Sequence, residues 1–417
     1  MNDNNRIAMF SIHSDPLTAI GSHGSGGQNV YVHDLALALD KKGWEIDIFT
    51  RYDDPRKKFI AKIGRHSRVI RLKAGKPSYI YKGDLHPLFP DIYDKFREFI
   101  KFDNPYSLFH GHHYDGGWMG VRAAREFGKP FVENFHSLGK VRQQTQKQYL
   151  AHSNDAIIFN ERFSMEEEAV RESSVIISLA ETEKENLIEL YGSDPGKIAV
   201  VPGGVSLQRF SPMDNGAARK ALNLSDDDYI LLFVGRLEWR KGAATLISAL
   251  RYLKDIDNVK IVIVGGQIFG SVKNDDDVKE YERLLAKAKE EGVEDKVRFI
   301  GKVNHDRVNA YYAAADIFVI PSYYEPFGLV ALEAMAMRIP VVASRKDGLK
   351  ATIDDGRTGM LFEPRDPADL ARKISEIHDH PELRDRMIEA ARREIEEKYS
   401  WGEIAEKISD IYRSLII

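Results

Sequence analysis

The run Ser322-Tyr323-Tyr324-Glu325-Pro326-Phe327-Gly328-Leu329-Val330-Ala331-Leu332-Glu333-Ala334-Met335-Ala336 follows the apolar segment Ile317-Phe318-Val319-Ile320. Four apolar residues, a turn and an Ala/Leu-rich stretch read as strand, turn, helix. Pro326 pre-sets φ at the helix entrance and Gly328 lets backbone approach a ligand closely. The amides of Gly328, Leu329 and Val330 should then face outward, an arrangement that binds phosphate. Glu333, further along the helix, suits the two neighbouring hydroxyls of a ribose. Glu325 lies level with the phosphates, where a carboxylate is costly unless it grips hydroxyls, so it is read as a sugar-hydroxyl acceptor. Phe327 to Val330 and Glu333 are therefore donor-side candidates.

With Glu-Pro-Phe-Gly-Leu-x-x-x-Glu-Ala-Met-Ala, the chain resembles the paired-glutamate signature of retaining glycosyltransferases of the two-Rossmann-domain (GT-B) type. Within that group it is similar to glycosyltransferase family 4, sucrose-phosphate-synthase-like enzymes. The resemblance implies an α/β fold of two doubly wound Rossmann-like domains facing a cleft, with a C-terminal helix crossing back to the first domain.

Composition is consistent with this. A chain of 417 residues exceeds one ordinary core. With 43% hydrophobic and 30% charged residues, it has no apolar run near the ~20 residues of a membrane span. The start, Met1-Asn2-Asp3-Asn4-Asn5-Arg6, has no apolar signal region, and cytoplasm is the expectation. Zero cysteines exclude disulfides, thiolate catalysis and Cys-based zinc sites. A net charge of −4 offers no field for nucleic acid.

From the N-terminus, strand-like 6–12 leads through the loop 21–29 into a helical pattern. Loop and linker readings both fit the glycines, but Gly26-Gly27-Gln28-Asn29-Val30-Tyr31-Val32 resembles the Gly-Gly-x-x-x-Tyr-Val opening of the family, which places Gly26, Gly27 and Gln28 at the donor. Strands at 45–50, 68–72 and 107–110 alternate with helices at about 91–102 and 117–127, the pattern of a parallel sheet with ligands beyond the strand ends. In His110-Gly111-His112-His113-Tyr114-Asp115-Gly116-Gly117 the glycines and Asp suit a turn, and no carboxylate spacing completes a metal set. His136-Ser137-Leu138-Gly139 is similar to the family's His-Ser-Leu-Gly, which implies that His136 contacts the transferred sugar. Resemblance also implies that Lys82, His113, Ser137 and Arg162, with Arg142 nearby, grip the phosphate of a phosphorylated acceptor. His113 stands where the family more often has Tyr.

A composition break at Pro202-Gly203-Gly204-Val205 puts the hinge near residue 205. The expected domains are an acceptor-binding 1–205, a nucleotide-sugar-binding 206–398 and a returning helix 399–417, with Trp401 its anchor. After strand-like 229–234, Arg236 and Lys241 flank a tight loop, two cations suited to a leaving diphosphate. The run resembles the family's Gly-Arg-Leu-x-x-x-Lys-Gly element. Backbone at Lys302 and Val303 resembles its base-contacting segment. Asn274-Asp275-Asp276-Asp277 reads as a solvated helix cap rather than a metal motif.

The resulting expectation is a retaining hexosyltransferase with His136, Arg236, Lys241 and Glu325 as catalytic residues. It needs no metal or other cofactor beyond a nucleoside-diphosphate sugar, UDP-glucose by resemblance, and takes a sugar or sugar-phosphate acceptor. A neutral sugar or polyol acceptor, and a sugar-nucleotide epimerase of the same architecture, are the alternatives.

Overall fold

The computed structural model describes residues 5–18, 26–149, 156–266, 276–303 and 305–416. Two compact units divide the chain. The first runs to Gly204 and takes in the final helix, Trp401–Leu415; the second runs from Val205 to Ser400.

The first unit is built on an eight-stranded sheet: β1 (Arg6–Phe10), β2 (Glu45–Arg51), β3 (Ile60–Lys62), β4 (Arg68–Leu72), β5 (Leu108–His112), β6 (Phe131–Asn134), β7 (Val175–Ser178) and β8 (Ile198–Val200), in the order 3-4-2-1-5-6-7-8. All neighbours are parallel except β3, which pairs antiparallel with β4 at one edge. The second unit carries β9 (Tyr229–Val234), β10 (Val259–Val264), β11 (Val297–Gly301), β12 (Ile317–Ile320), β13 (Val341–Ser344) and β14 (Met360–Phe362), in the order 11-10-9-12-13-14, all parallel. Both sheets are doubly wound and Rossmann-like. Their central strands are buried on both faces, which is why they read as continuous apolar runs.

The final helix belongs to the first unit. Trp44 Nε1 donates to Ser409 Oγ at 2.9 Å, and Lys42 pairs with Glu406. Trp401 lies against the backbone of Gly204, where a Cβ would stand 2.7 Å from its ring. That contact explains a glycine the sequence had marked only as a break. Among the described residues, no helix is long and apolar enough to cross a membrane.

One local reading is corrected. The helix after β5 spans His113–Phe127, four residues longer at its start than expected, so Gly116, read as a turn residue, is helical like Gly117. Their missing side chains admit close packing: a Cβ on Gly116 would sit 2.2 Å from the Phe10 carbonyl oxygen, and one on Gly117 2.9 Å from Glu133 Oε2. The short edge strand β3, without alternation of its own, was not expected. Residues 21–25 of the glycine loop and 274–275 of the acidic run lie outside the described residues.

Candidate active site

In the second unit, the deciding stretch folds as β12, a turn and the helix Leu329–Ala336. Gly328 caps the helix with φ 91°, a left-handed conformation that costs any other residue. The first helical bond runs from Ala331 N to Gly328 O at 2.8 Å, so the amides of Gly328, Leu329 and Val330 precede it. Lys241 Nζ lies 2.5 Å from Glu325 Oε2, both side chains more than four-fifths buried. Gly242 (φ 70°) makes this approach possible, because a Cβ there would overlap the Pro321 carbonyl. Burial pushes the Lys241 ammonium below its ordinary pKa against the pull of Glu325. Buried Glu333 accepts from Tyr312 Oη at 2.8 Å, and Phe327 packs under the turn, 4% exposed. Lys302 and Val303 follow directly on β11, whose last residue, Gly301, has φ 75°.

Arg236 stands apart from Lys241 in its pairing. It binds Glu238, which also holds Arg240 at 2.5 Å. Arg240 reaches the Tyr324 carbonyl at 3.4 Å, and its own carbonyl accepts from Tyr323 N at 2.7 Å. The loop 236–242 and the turn 322–328 are thus stitched together by residues that motif reading passed over.

In the first unit, the polar side chains gather after β1, β5 and β6. His136 lies two residues beyond β6 and has φ 57°, rare for a non-glycine residue. Its Nε2 lies 3.0 Å from His112 Nδ1. Arg162 is 4% exposed; its Nε donates to Glu166 at 2.6 Å, and its Nη2 to the Ser137 carbonyl and, at 3.1 Å, to Ser137 Oγ. Ser137 Oγ lies 3.4 Å from His113 Nε2. Burial holds the His113 imidazole well below its usual pKa, partly opposed by its Asp115 bond, with the charges of Arg162, His13 and Lys82 lowering it further. Lys82 offers its carbonyl to Tyr114 Oη at 2.8 Å. Arg142 sits one turn into the helix Gly139–Tyr149, its amide bonded to the Leu138 carbonyl. Gly26 and Gly27 open the helix Gly27–Lys41, and Gln28 donates to Ser11 Oγ at 3.1 Å.

A second sequence reading is overturned here. Asp115, on the helix after β5, accepts from His13 Nδ1 at 2.8 Å and from His113 Nδ1 at 3.2 Å. Ligating atoms of His13, His113 and Asp115 lie within 4.8 Å of one another, so a carboxylate does complete a histidine set, through His13, which is about a hundred residues away in sequence. Burial opposes the Asp115 charge, but His13 and His113 outweigh it and hold the carboxyl ionised.

Residues 25–209 match Glycosyltransferase Family 4, and residues 214–394 match Glycosyl transferases group 1. Over 416 residues, 98% of this chain and 94% of the relative, the sequence is 32% identical to D-inositol 3-phosphate glycosyltransferase 2 of Catenulispora acidiphila. The chain belongs to glycosyltransferase family 4. This family 4 glycosyltransferase superposes on the sucrose-phosphate synthase of Thermosynechococcus elongatus with a TM-score of 0.89 at 33% identity, covering 98% of each chain. It shares its fold with HepE of Anabaena, solved in complex with UDP-glucose (TM-score 0.75, 20% identity, 98% and 100% covered). Its GT-B architecture follows from these matches and the two Rossmann-like units.

Of the residues marked by sequence, the glycosyltransferase brings Lys241, Glu325 and Gly328 together in one unit, and His113, Ser137 and Arg162 together in the other. Sequence reading missed His13, Asp115, Glu166, Glu238 and Arg240. Only one weak signal pointed to any of them: His13 and Asp115, like the chosen residues, follow strand ends, where ligands of such sheets bind.

Proposed function

We propose that this glycosyltransferase moves glucose from UDP-glucose to a phosphorylated sugar or polyol, with retention at the anomeric carbon and without a metal. One observation carries the acceptor assignment: Ser137 Oγ lies within hydrogen-bonding range of both Arg162 Nη2 and His113 Nε2, with the Lys82 charge felt at His113. A guanidinium fork with a hydroxyl and an imidazole suits a phosphate dianion better than a neutral hydroxyl. The names of two similar proteins, an inositol 3-phosphate glycosyltransferase and a sucrose-phosphate synthase, each contain a phosphate ester. HepE with UDP-glucose supports the donor.

In the transfer, the bond from the anomeric carbon to the β-phosphate oxygen breaks as the acceptor oxygen bonds to the same face. Lys241 and the Gly328, Leu329 and Val330 amides stabilise charge gathering on the diphosphate, which takes up the acceptor's proton. Neutral His136, its pKa pushed down to about 3 by burial, holds the sugar and is not the nucleophile. A β linkage in the NMR spectrum of fresh product would overturn retention.

A neutral acceptor is the second reading, favoured by the Arg162–Glu166 ion pair, which offsets part of the guanidinium charge. Rates with fructose against fructose 6-phosphate, and inositol against its phosphate, decide between them in wild type and Arg162→Ala. The phosphate assignment requires a phosphate preference in wild type that Arg162→Ala removes.

A further inference from the structure

Three histidines and a tyrosine form a row in the first unit. Tyr412 Oη, on the final helix, lies 2.6 Å from His110 Nδ1. The His110 and His112 rings lie 4.2 Å apart, tilted by 32°. His112 Nδ1 meets His136 Nε2 at 3.0 Å. His110 and His112 are fully buried, whereas His136 is partly exposed. Tyr31 packs edge-on against both His112 and His136. His112 Nε2 is a buried atom without a hydrogen-bond partner.

That last fact assigns the proton. A neutral imidazole carries one N–H and one lone pair, so the His112–His136 contact holds a single proton. If His136 Nε2 owned it, the proton of His112 would sit on Nε2 as a buried N–H with no acceptor. Buried N–H groups are seldom left orphaned, and a bare lone pair there is the lesser cost. We infer that His112 is the positioning residue of His136: it donates from Nδ1 to His136 Nε2 and so fixes His136 as the tautomer protonated on Nδ1. With Nε2 turned onto His112, Nδ1 is the ring nitrogen left to face outward. His136 therefore presents a hydrogen-bond donor to its ligand, and its lone pair is sealed inward, where it can serve neither as base nor as nucleophile. The His110 ring, bonded to Tyr412, lies against the His112 ring and limits its rotation. The inference deepens the proposed role of His136 as holder of the transferred sugar and rests on it.

The test reads the tautomer directly. In the intact protein with ¹⁵N-labelled histidine, the His136 signals, identified by their loss in His136→Gln, should show a protonated Nδ1 and an unprotonated Nε2. Protonation on Nε2, or on both nitrogens, overturns the assignment whatever the activity. His112→Asn, which keeps an N–H donor near the Nδ1 position, should hold kcat within about tenfold of wild type. His112→Leu should lower kcat about ten- to hundred-fold with little change in acceptor KM, the scale of one lost hydrogen bond. Equal kcat in His112→Leu and wild type overturns the positioning role. Absence of turnover in wild type with every nucleotide sugar would sink the transferase reading instead, and the labelled spectrum would still decide the tautomer.

Discussion

Lys241→Ala tests the donor site on two scales at once. The Lys241–Glu325 pair has 18% and 12% exposed side chains and a 2.5 Å contact, so it is a buried ion pair. Without Lys241, Glu325 keeps, among the described residues, the Ser322 hydroxyl at 3.4 Å and the nearby charge of Arg240. Removing one partner of such a pair costs about 3–5 kcal/mol; with Arg240 compensating in part, about 2–3 kcal/mol is expected. For a unit of this size that lowers Tm by roughly 5–12 °C. Turnover, read as release of nucleoside diphosphate, should fall about 10²–10³-fold, the scale of one lost charge-stabilising donor. Adding Glu325→Gln removes the orphaned charge, so Tm should recover most of its loss while turnover does not. An unchanged Tm in Lys241→Ala would mean that the pair is not buried. Turnover restored together with Tm in the double variant would mean that Lys241 acts on folding and not on the diphosphate.

Burial pushes the Glu183 carboxyl up from 4.5 to about 7. A raised acid favours the folded state below its unfolded pKa and loses that contribution as pH climbs through the folded one, so stability should fall between about pH 4.5 and 7. At about 1.4 kcal/mol per pH unit the loss amounts to about 3 kcal/mol at most; Glu183→Gln should flatten this slope in thermal melts taken from pH 5 to 8, and an unaltered slope would show that the carboxyl titrates normally. Gly116→Ala places a methyl 2.2 Å from the Phe10 carbonyl and should destabilise by about 1–3 kcal/mol, with a denaturant midpoint equal to wild type as the contrary result. EDTA should leave turnover unchanged; a rate lost to the chelator and regained with magnesium or manganese would instead make the His13, His113 and Asp115 set a working cation site.

The architecture could be read from the chain because its signals are local. Buried parallel strands are continuous apolar runs, and the glycines that cap helices or admit backbone mark their own places, as at Gly328 and Gly242. Family motifs likewise keep their residues within a few positions, so Glu325 and Glu333, or Gly26 to Gln28, could be found together. Pairings across long stretches of chain could not. Asp115 meets His13 only because β1 and β5 are neighbours in the sheet, and His110 meets Tyr412 only because the final helix returns to the first unit. Glu238 and Glu166 were missed for a different reason: each lies within four residues of the arginine it holds, but spacing alone does not show which neighbouring charges pair. Distance along the chain also hid the reason for Gly116, where a contact with Phe10, not a turn, excludes a side chain. Sequence by itself determined the two sheets and the motifs at their strand ends. Tertiary structure decided which charges are paired, which imidazoles are neutral and which way His136 faces, since those depend on burial and on neighbours that no spacing along the chain reveals.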